Sequence, residues 1–258
     1  MAEGLNHNGK TYRLVMFDLD DTLAPSKTAM SDEMVELFRE MLGKSLGCII
    51  SGGQTGQFST QVLDRLGDFD DRGNLHLMPT NGTRYLRWDE PAGEWATVYA
   101  EDLSEDQKAR ALAVVEHGAR ELGLWESRTW GPILEDRGSQ ITFSALGQSA
   151  PVDAKAAWDP DGRKKESLRA YAAERLPDLE VRSGGSTSVD ITAKGIDKAY
   201  GARRLMEILD LTTDDILFFG DRLDEGGNDR PVMELGIDSI PVHGWEDTYA
   251  KLSEIVRA

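Results

Sequence analysis

Three apolar runs constrain this chain more than any other feature, and each ends in a side chain capable of chemistry. Residues 12–18 end in Asp18, residues 46–51 in Ser51 and residues 214–221 in Asp221. Runs without polar alternation are strands buried on both faces, as in parallel sheets covered by helices. Helical patterns follow them. Ser31 reads as an N-cap with Asp32 and Glu33 in the first turn, Met34, Leu37, Phe38, Met41 and Leu42 recur at helical spacing, and Gly43 closes the helix. A Gly-rich turn after Ser51 leads into a second helix over about 58–66. Strand, helix, strand, helix predicts an α/β fold with a doubly wound parallel sheet.

The pattern changes after residues 75–80. Asn81-Gly82 signals a turn, and 83–88 with 95–99 reads as a hairpin. Helices over 104–122 and 163–176 and strands over 139–146, 179–182 and 187–192 predict an α+β insert. The βα alternation then returns, with a helix over 197–209, the strand ending in Asp221, a short helix at 232–235, a strand at 239–242 and a last helix at 245–256. The expected organisation is a core made of 1–82 and 188–258, with an inserted cap domain at 83–187.

Composition narrows the function classes. The chain has 258 residues, and 29 Lys and Arg against 46 Asp and Glu give a formal net charge of −17. Such a chain repels nucleic acid and anionic lipid, so any phosphorylated ligand must be met locally, by a metal or a few placed cations. Cys48 is the single cysteine, which excludes an intramolecular disulfide and points to a reducing compartment. Residues 1–10 carry no apolar signal segment, and the longest uncharged run is too polar to span a bilayer. The expectation is a cytoplasmic protein with a small-molecule partner.

Three segments can converge on one crevice, because ligands of open parallel sheets sit outside the carboxyl ends of the strands. The first is Phe17-Asp-Leu-Asp-Asp-Thr-Leu23. Asp18 and Asp20, two apart at a strand end, suit one carboxylate that attacks and one that moves protons. Asp is common after strands, so this pair alone carries little, and D-x-D occurs in glycosyltransferases too. An EF-hand is excluded, since Thr22 takes the fifth position and no Gly follows. In the second segment, the Ser51 hydroxyl and the N–H groups around Gly52 suit a phosphate oxygen, although an ordinary tight turn has the same form. The third, residues 218–229, holds Asp221, Asp224, Glu225 and Asp229 among three glycines, a hard-oxygen set suited to Mg²⁺ or simply a solvated acidic loop. Lys198, near the return to the core, is placed to offset stacked carboxylates.

The order of these pieces resembles the haloacid dehalogenase (HAD) superfamily, in its subclass with an α/β cap of the second type (C2B, HAD-IIB). The likeness to the phosphomannomutase branch spans nearly the whole chain. It shows in Phe17-Asp-Leu-Asp-Asp-Thr-Leu-Ala-Pro25, Leu134-Glu-Asp-Arg137, Ser183-Gly-Gly-Ser-Thr-Ser-Val-Asp190, Gly195-Ile-Asp-Lys198 and Gly226-Gly-Asn-Asp229. The resemblance implies Asp18 as a nucleophile forming an aspartyl-phosphate and Asp20 as acid and base. It also implies Mg²⁺ held by Asp18, the backbone carbonyl of Asp20, Asp221 and Asp229, with Ser51, Gly52 and Lys198 on phosphate. Thr22 would order the turn through its hydroxyl and backbone, Lys27, Arg137, Ser188 and Asp190 would meet the substrate, and family mutases pair through their caps. The chain departs from the family at Trp130 and Gln148, where the mutases carry phosphate-gripping arginines, at Lys27, which replaces an Arg, and at Asp21, which replaces a Gly. These departures favour a Mg²⁺-dependent phosphatase of a small sugar phosphate over a phosphomannomutase, with a non-catalytic ligand-binding protein as a third reading.

Overall fold

The computed structural model describes residues 3–258. A hairpin of β1 (Leu5–His7) and β2 (Lys10–Tyr12) leads into β3 (Leu14–Phe17), α1 (Asp32–Leu42) and β4 (Leu46–Ile50). Next come α2 (Thr55–Phe58), a π-helical turn (Ser59–Leu63) and α3 (Asp64–Leu66), which together form one bulged helix. Strand β5 (Leu75–Met78) precedes a hairpin of β6 (Arg84–Asp89) and β7 (Glu94–Ala100). Then follow α4 (Glu105–Glu121), β8 (Leu134–Asp136), β9 (Gln140–Ser144), α5 (Val152–Trp158), α6 (Arg163–Arg175), β10 (Leu179–Ser183) and β11 (Ser188–Ala193). The chain ends with α7 (Lys198–Leu209), β12 (Ile216–Gly220), α8 (Arg230–Glu234), β13 (Asp238–Pro241) and α9 (Trp245–Val256). No helix among the described residues is long and apolar enough to cross a membrane.

The chain forms two compact units, one of residues up to 100 with Asp197–Ala258 and one of Glu101–Ile196. In the first, a seven-stranded sheet runs β13-β12-β3-β4-β5-β6-β7, parallel from β13 to β5 and antiparallel through the closing hairpin. Both faces are covered. Val15, Phe17, Ile49 and Phe219 pack against α1 and α9, while Leu14, Met16, Ile50 and Phe218 pack against α7 and α8. This double burial is why the strands carry no polar alternation. From β3 the chain winds one way to β4 and β5 and the other way from β12 to β13, so the strand order reverses at β3.

Two boundaries differ from the sequence reading. The hairpin β6–β7 was expected in the insert at 83–187, but β6 pairs with β5 through His76↔Arg87 and Leu77↔Leu86 and extends the core sheet. Strand β11, expected in the core from 188, pairs on both edges with β10 and β9 and belongs to the insert. Backbone pairing decided both, and short strands reveal their partners poorly in sequence. The run over 12–18 also breaks at Arg13 into β2 and β3, and α5 and β8 went unread.

The second unit is an antiparallel sheet in the order β10-β11-β9-β8. One face, with Ile141, Phe143, Val189 and Ile191, packs on α4 and α6 through Val115 and Leu168. Gln140, Thr142 and Asp190 alternate with that set, and their side chains bond to one another instead.

In the first unit, β5 buries His76, whose Nδ1 lies 2.7 Å from the Tyr85 hydroxyl while its Nε2 has no hydrogen-bond partner. Burial, aided by Arg87, lowers its pKa to about 4. The unfolded chain binds this proton at higher pH than the folded one, so stability present above the ordinary histidine value is lost as pH falls toward 4. Between pH 7 and pH 5 this single group is expected to cost about 2 kcal/mol. Urea denaturation at both pH values, on wild type and His76→Gln, checks this. The variant should show a shallower loss, and equal slopes would remove His76 as the cause.

Candidate active site

Strands β3, β4 and β12 are adjacent and parallel, so the residues that follow them, Asp18, Ser51 and Asp221, leave the same end of the sheet. Asp18 is fixed by its own N–H, which donates to the Phe219 carbonyl at 3.0 Å. Its carboxylate meets Lys198, the first residue of α7. Asp197 caps that helix by accepting from the Tyr200 N–H at 2.8 Å. Close packing sets how far α7 advances: a Cβ on Gly82 would meet the Gly201 Cα at 2.4 Å, so neither position has room for a larger residue.

Lys198 is 1% exposed, with Nζ bonded to Asp18 Oδ1 and, at 2.5 Å, to Asp229 Oδ1. Asp229 is fully buried, and its other oxygen accepts from the Arg222 N–H at 3.0 Å. Burial alone would lower the Lys198 pKa, but Asp18 and Asp229 outweigh it and hold the ammonium charged. Burial, with Asp229 and Asp221 beside it, pushes the Asp18 carboxyl up against the pull of Lys198. Burial and Asp229 raise Asp221 as well.

Asp18, Asp221 and Asp229 each offer a carboxylate oxygen within 4.8 Å of the others. Three carboxylates facing one ammonium leave an excess of negative charge in a place with little water. Hard oxygens in that arrangement fit a hard divalent cation.

Asp20 has a different environment. Its carboxylate accepts from the Lys27 backbone N–H at 2.8 Å, Lys27 Nζ at 2.6 Å, Gln57 Nε2 at 2.9 Å and Gln61 Nε2 at 3.3 Å. Burial works to raise its pKa, but Lys27 and Gln57 prevail and lower it. Two carboxyls two residues apart are thus pushed in opposite directions: without a cation Asp18 is driven toward its protonated form, while Asp20 is held ionised. Asp21 occupies the left-handed region at φ 60°. Asp tolerates that conformation, and here its Oδ1 accepts from the Ser26 N–H at 3.0 Å, so the replaced glycine leaves the turn intact. Thr22 is fully buried and its hydroxyl has no hydrogen-bond partner, so only its backbone joins the turn, by donating to Leu19. Ser51 is buried, and its Oγ accepts from the Gly53 N–H at 3.2 Å.

Lys27, expected to meet substrate, is bound to Asp20 and Gln57. Gln57 and Gln61 were missed by sequence reading. Their only signal was a glutamine pair four apart just after Ser51-Gly-Gly, which is a common residue type at a common spacing.

The second unit holds Arg137, Ser188 and Asp190. Arg137 pairs with Glu135 at 2.6 Å, both mostly buried. Asp190 accepts from Thr142 Oγ1 at 2.8 Å and Gln140 Nε2 at 3.0 Å. Trp130 is 46% exposed, and its backbone bonds to Leu146 and Ser149 place it beside Gln148. The Gln148 amide donates to Ser144 Oγ at 2.5 Å.

Known proteins agree with this architecture. The family model described as eukaryotic phosphomannomutase matches residues 99–258, more than half of the chain. The phosphomannomutase of Schizosaccharomyces pombe is 27% identical over 94% of this chain and 93% of its own length. That of Saccharomyces cerevisiae is 28% identical over 87% and 86%. Among solved structures, a haloacid dehalogenase-like hydrolase from Bacteroides thetaiotaomicron matches with TM-score 0.62 at 18% identity, covering 95% of this chain and all of that one. A truncated IMP-nucleotidase of Plasmodium falciparum, bound to IMP, matches with TM-score 0.67 at 16% identity, over 96% of this chain and 68% of that one. At such identities these two likenesses speak for the fold alone. The matched family model, over most of the chain, carries the assignment: this protein belongs to the eukaryotic phosphomannomutase family of the haloacid dehalogenase superfamily.

Proposed function

We propose that this protein transfers a phosphoryl group between positions of a hexose phosphate through an aspartyl-phosphate on Asp18. The carrying observation is the buried Asp18–Lys198–Asp229 cluster beside a separately held Asp20. The relatives' names shift the balance from the hydrolysis expected from sequence toward a mutase.

Asp18, Asp221 and Asp229 would hold Mg²⁺, with the backbone carbonyl of Asp20 as a further oxygen. Bound there, the ion would neutralise charge on the transferring group and allow two anions to approach. The Asp18 carboxylate attacks phosphorus, forming an acyl phosphate and breaking the bond to the sugar oxygen. Asp20, which Lys27 and Gln57 hold ionised, takes the proton of an accepting hydroxyl and, once it carries that proton, returns one to the sugar oxygen whose bond to phosphorus breaks. Lys198 opposes the rise in the Asp18 pKa and aligns its carboxylate, a bound cation would complete its ionisation, and Ser51 Oγ with the N–H groups around Gly52 would donate to phosphate oxygens. On the second unit we assign Arg137, Ser188 and Asp190 to recognition of the sugar phosphate.

One observation favours hydrolysis as a second reading. Trp130 and Gln148 are adjacent and uncharged, and they offer a second phosphate no cation. Each charge-assisted contact contributes about 1.5–3 kcal/mol, so this difference bears on retaining a bisphosphorylated intermediate.

Phosphorus-31 NMR of mannose 1-phosphate with Mg²⁺ and a catalytic amount of hexose 1,6-bisphosphate separates the two readings. Mannose 6-phosphate is expected to appear faster than inorganic phosphate. Release that outruns interconversion would assign hydrolysis instead. Lys198→Met is expected to abolish turnover and to cost about 3 kcal/mol of stability in metal-free buffer, because it strands buried carboxylates. A loss below about 1 kcal/mol in urea titrations would contradict the ammonium's neutralising role.

A further inference from the structure

The contacts around Asp20 point to two residues that no motif marks. Gln57 spans the pair: its Nε2 donates to Asp20 Oδ2 at 2.9 Å and its Oε1 accepts from Lys27 Nζ at 2.8 Å. The amide lies directly over Gly53, where a Cβ would come within 2.2 Å of Gln57 Oε1. The second glycine after Ser51 therefore makes the room in which this amide reaches Asp20.

Gln61, four residues on, faces the same loop. It is 3% exposed. Its Nε2 donates to Asp20 Oδ1 at 3.3 Å and to the Thr28 carbonyl at 2.5 Å, and its own carbonyl accepts from the Met30 N–H at 3.0 Å. The Gln61 Oε1 is buried without a partner. A buried amide left half-satisfied costs free energy that packing alone would avoid by placing a leucine or methionine there. Gln61 also lies within the π-helical turn Ser59–Leu63, an irregularity that is frequent at functional sites.

We infer that Gln57 and Gln61 are positioning residues for Asp20, fixing both of its carboxylate oxygens and the Lys27 loop so that the carboxyl faces the sugar oxygen in one orientation. This rests on the reading of Asp20 as the proton-moving group. A carboxylate with two free rotors spends little time in one orientation. Amides from a helix beneath it, together with the Lys27 backbone N–H, leave it a single one. Misplacement of a reacting group by about 1 Å costs on the order of a hundredfold in rate, so the two amides bear on turnover more than on binding.

The variants Gln57→Met and Gln61→Met keep side-chain length and remove the amide. Each is expected to lower kcat for sugar-phosphate turnover by about ten- to a hundredfold while KM stays within about twofold. The double variant is expected to fall little below the worse single one, because both act on one carboxylate. Melting temperatures should stay within about 3 °C of wild type. A second readout needs no activity: trypsin should cut after Lys27 about tenfold faster in each variant, since the opening that exposes a bond to protease becomes less costly. A kcat within twofold of wild type, a rate loss that follows a falling melting temperature, or unchanged cleavage at Lys27 overturns the inference. A wild-type protein that turns over no sugar phosphate would instead defeat the functional reading, and the trypsin rates would still decide whether these amides hold the Asp20–Lys27 loop.

Discussion

The site depends on one buried ammonium. Lys198, 1% exposed, sits between Asp18 and Asp229, and without it two carboxylates would share a dry pocket uncompensated. A buried ion pair of this kind is a poor stability device, since desolvation consumes most of the attraction. On the proposed reading its use lies in pre-organisation, since it opposes the rise in the Asp18 pKa and points that carboxylate before substrate arrives. The surrounding fold can be seen as the means of placing that ammonium. The Asp197 cap starts α7 at Lys198, the Gly82–Gly201 contact sets the helix against the sheet, and parallel β3 and β12 bring Asp18 and Asp221 to one end.

Charge is divided within a few residues. Asp18 is buried in a region of excess carboxylate that suits a divalent cation, and burial first, then Asp229 and Asp221, raises its pKa. Asp20 takes its partners from Lys27, Gln57 and Gln61, and Lys27 with Gln57 lowers its pKa despite burial. In a chain of net charge −17, cationic groups are placed individually where phosphate chemistry needs them.

The parallel sheet and the convergence of Asp18, Ser51 and Asp221 were legible because double burial writes itself as continuous apolar runs with reactive ends. Lys198 was legible through its place at the return to the core. Gln57 and Gln61 were not, because two glutamines on a helix have no signature until the loop they bind is seen. The hairpin β6–β7 was misassigned to the insert for a related reason: alternation shows that a strand exists, while its partner is decided by hydrogen bonding at long range. The partner of Lys27 was hidden in the same way, since the chain reverses at Lys27 with φ 59° and returns its ammonium to Asp20. Asp21 takes a left-handed conformation that a glycine would also allow and adds the bond from Ser26, so this departure from the family leaves the turn in place.

Passage of phosphoryl groups through Asp18 would leave an acyl phosphate that chemical trapping detects. The protein, mixed with a hexose bisphosphate and Mg²⁺, is quenched in acid and reduced with borohydride, which converts an aspartyl-phosphate to homoserine. Homoserine is expected at position 18 of the peptide spanning β3, and none at Asp20, Asp221 or Asp229. Phosphate transferred at full rate with position 18 unmodified, or with a phosphoserine or phosphohistidine in its place, would overturn the role of Asp18.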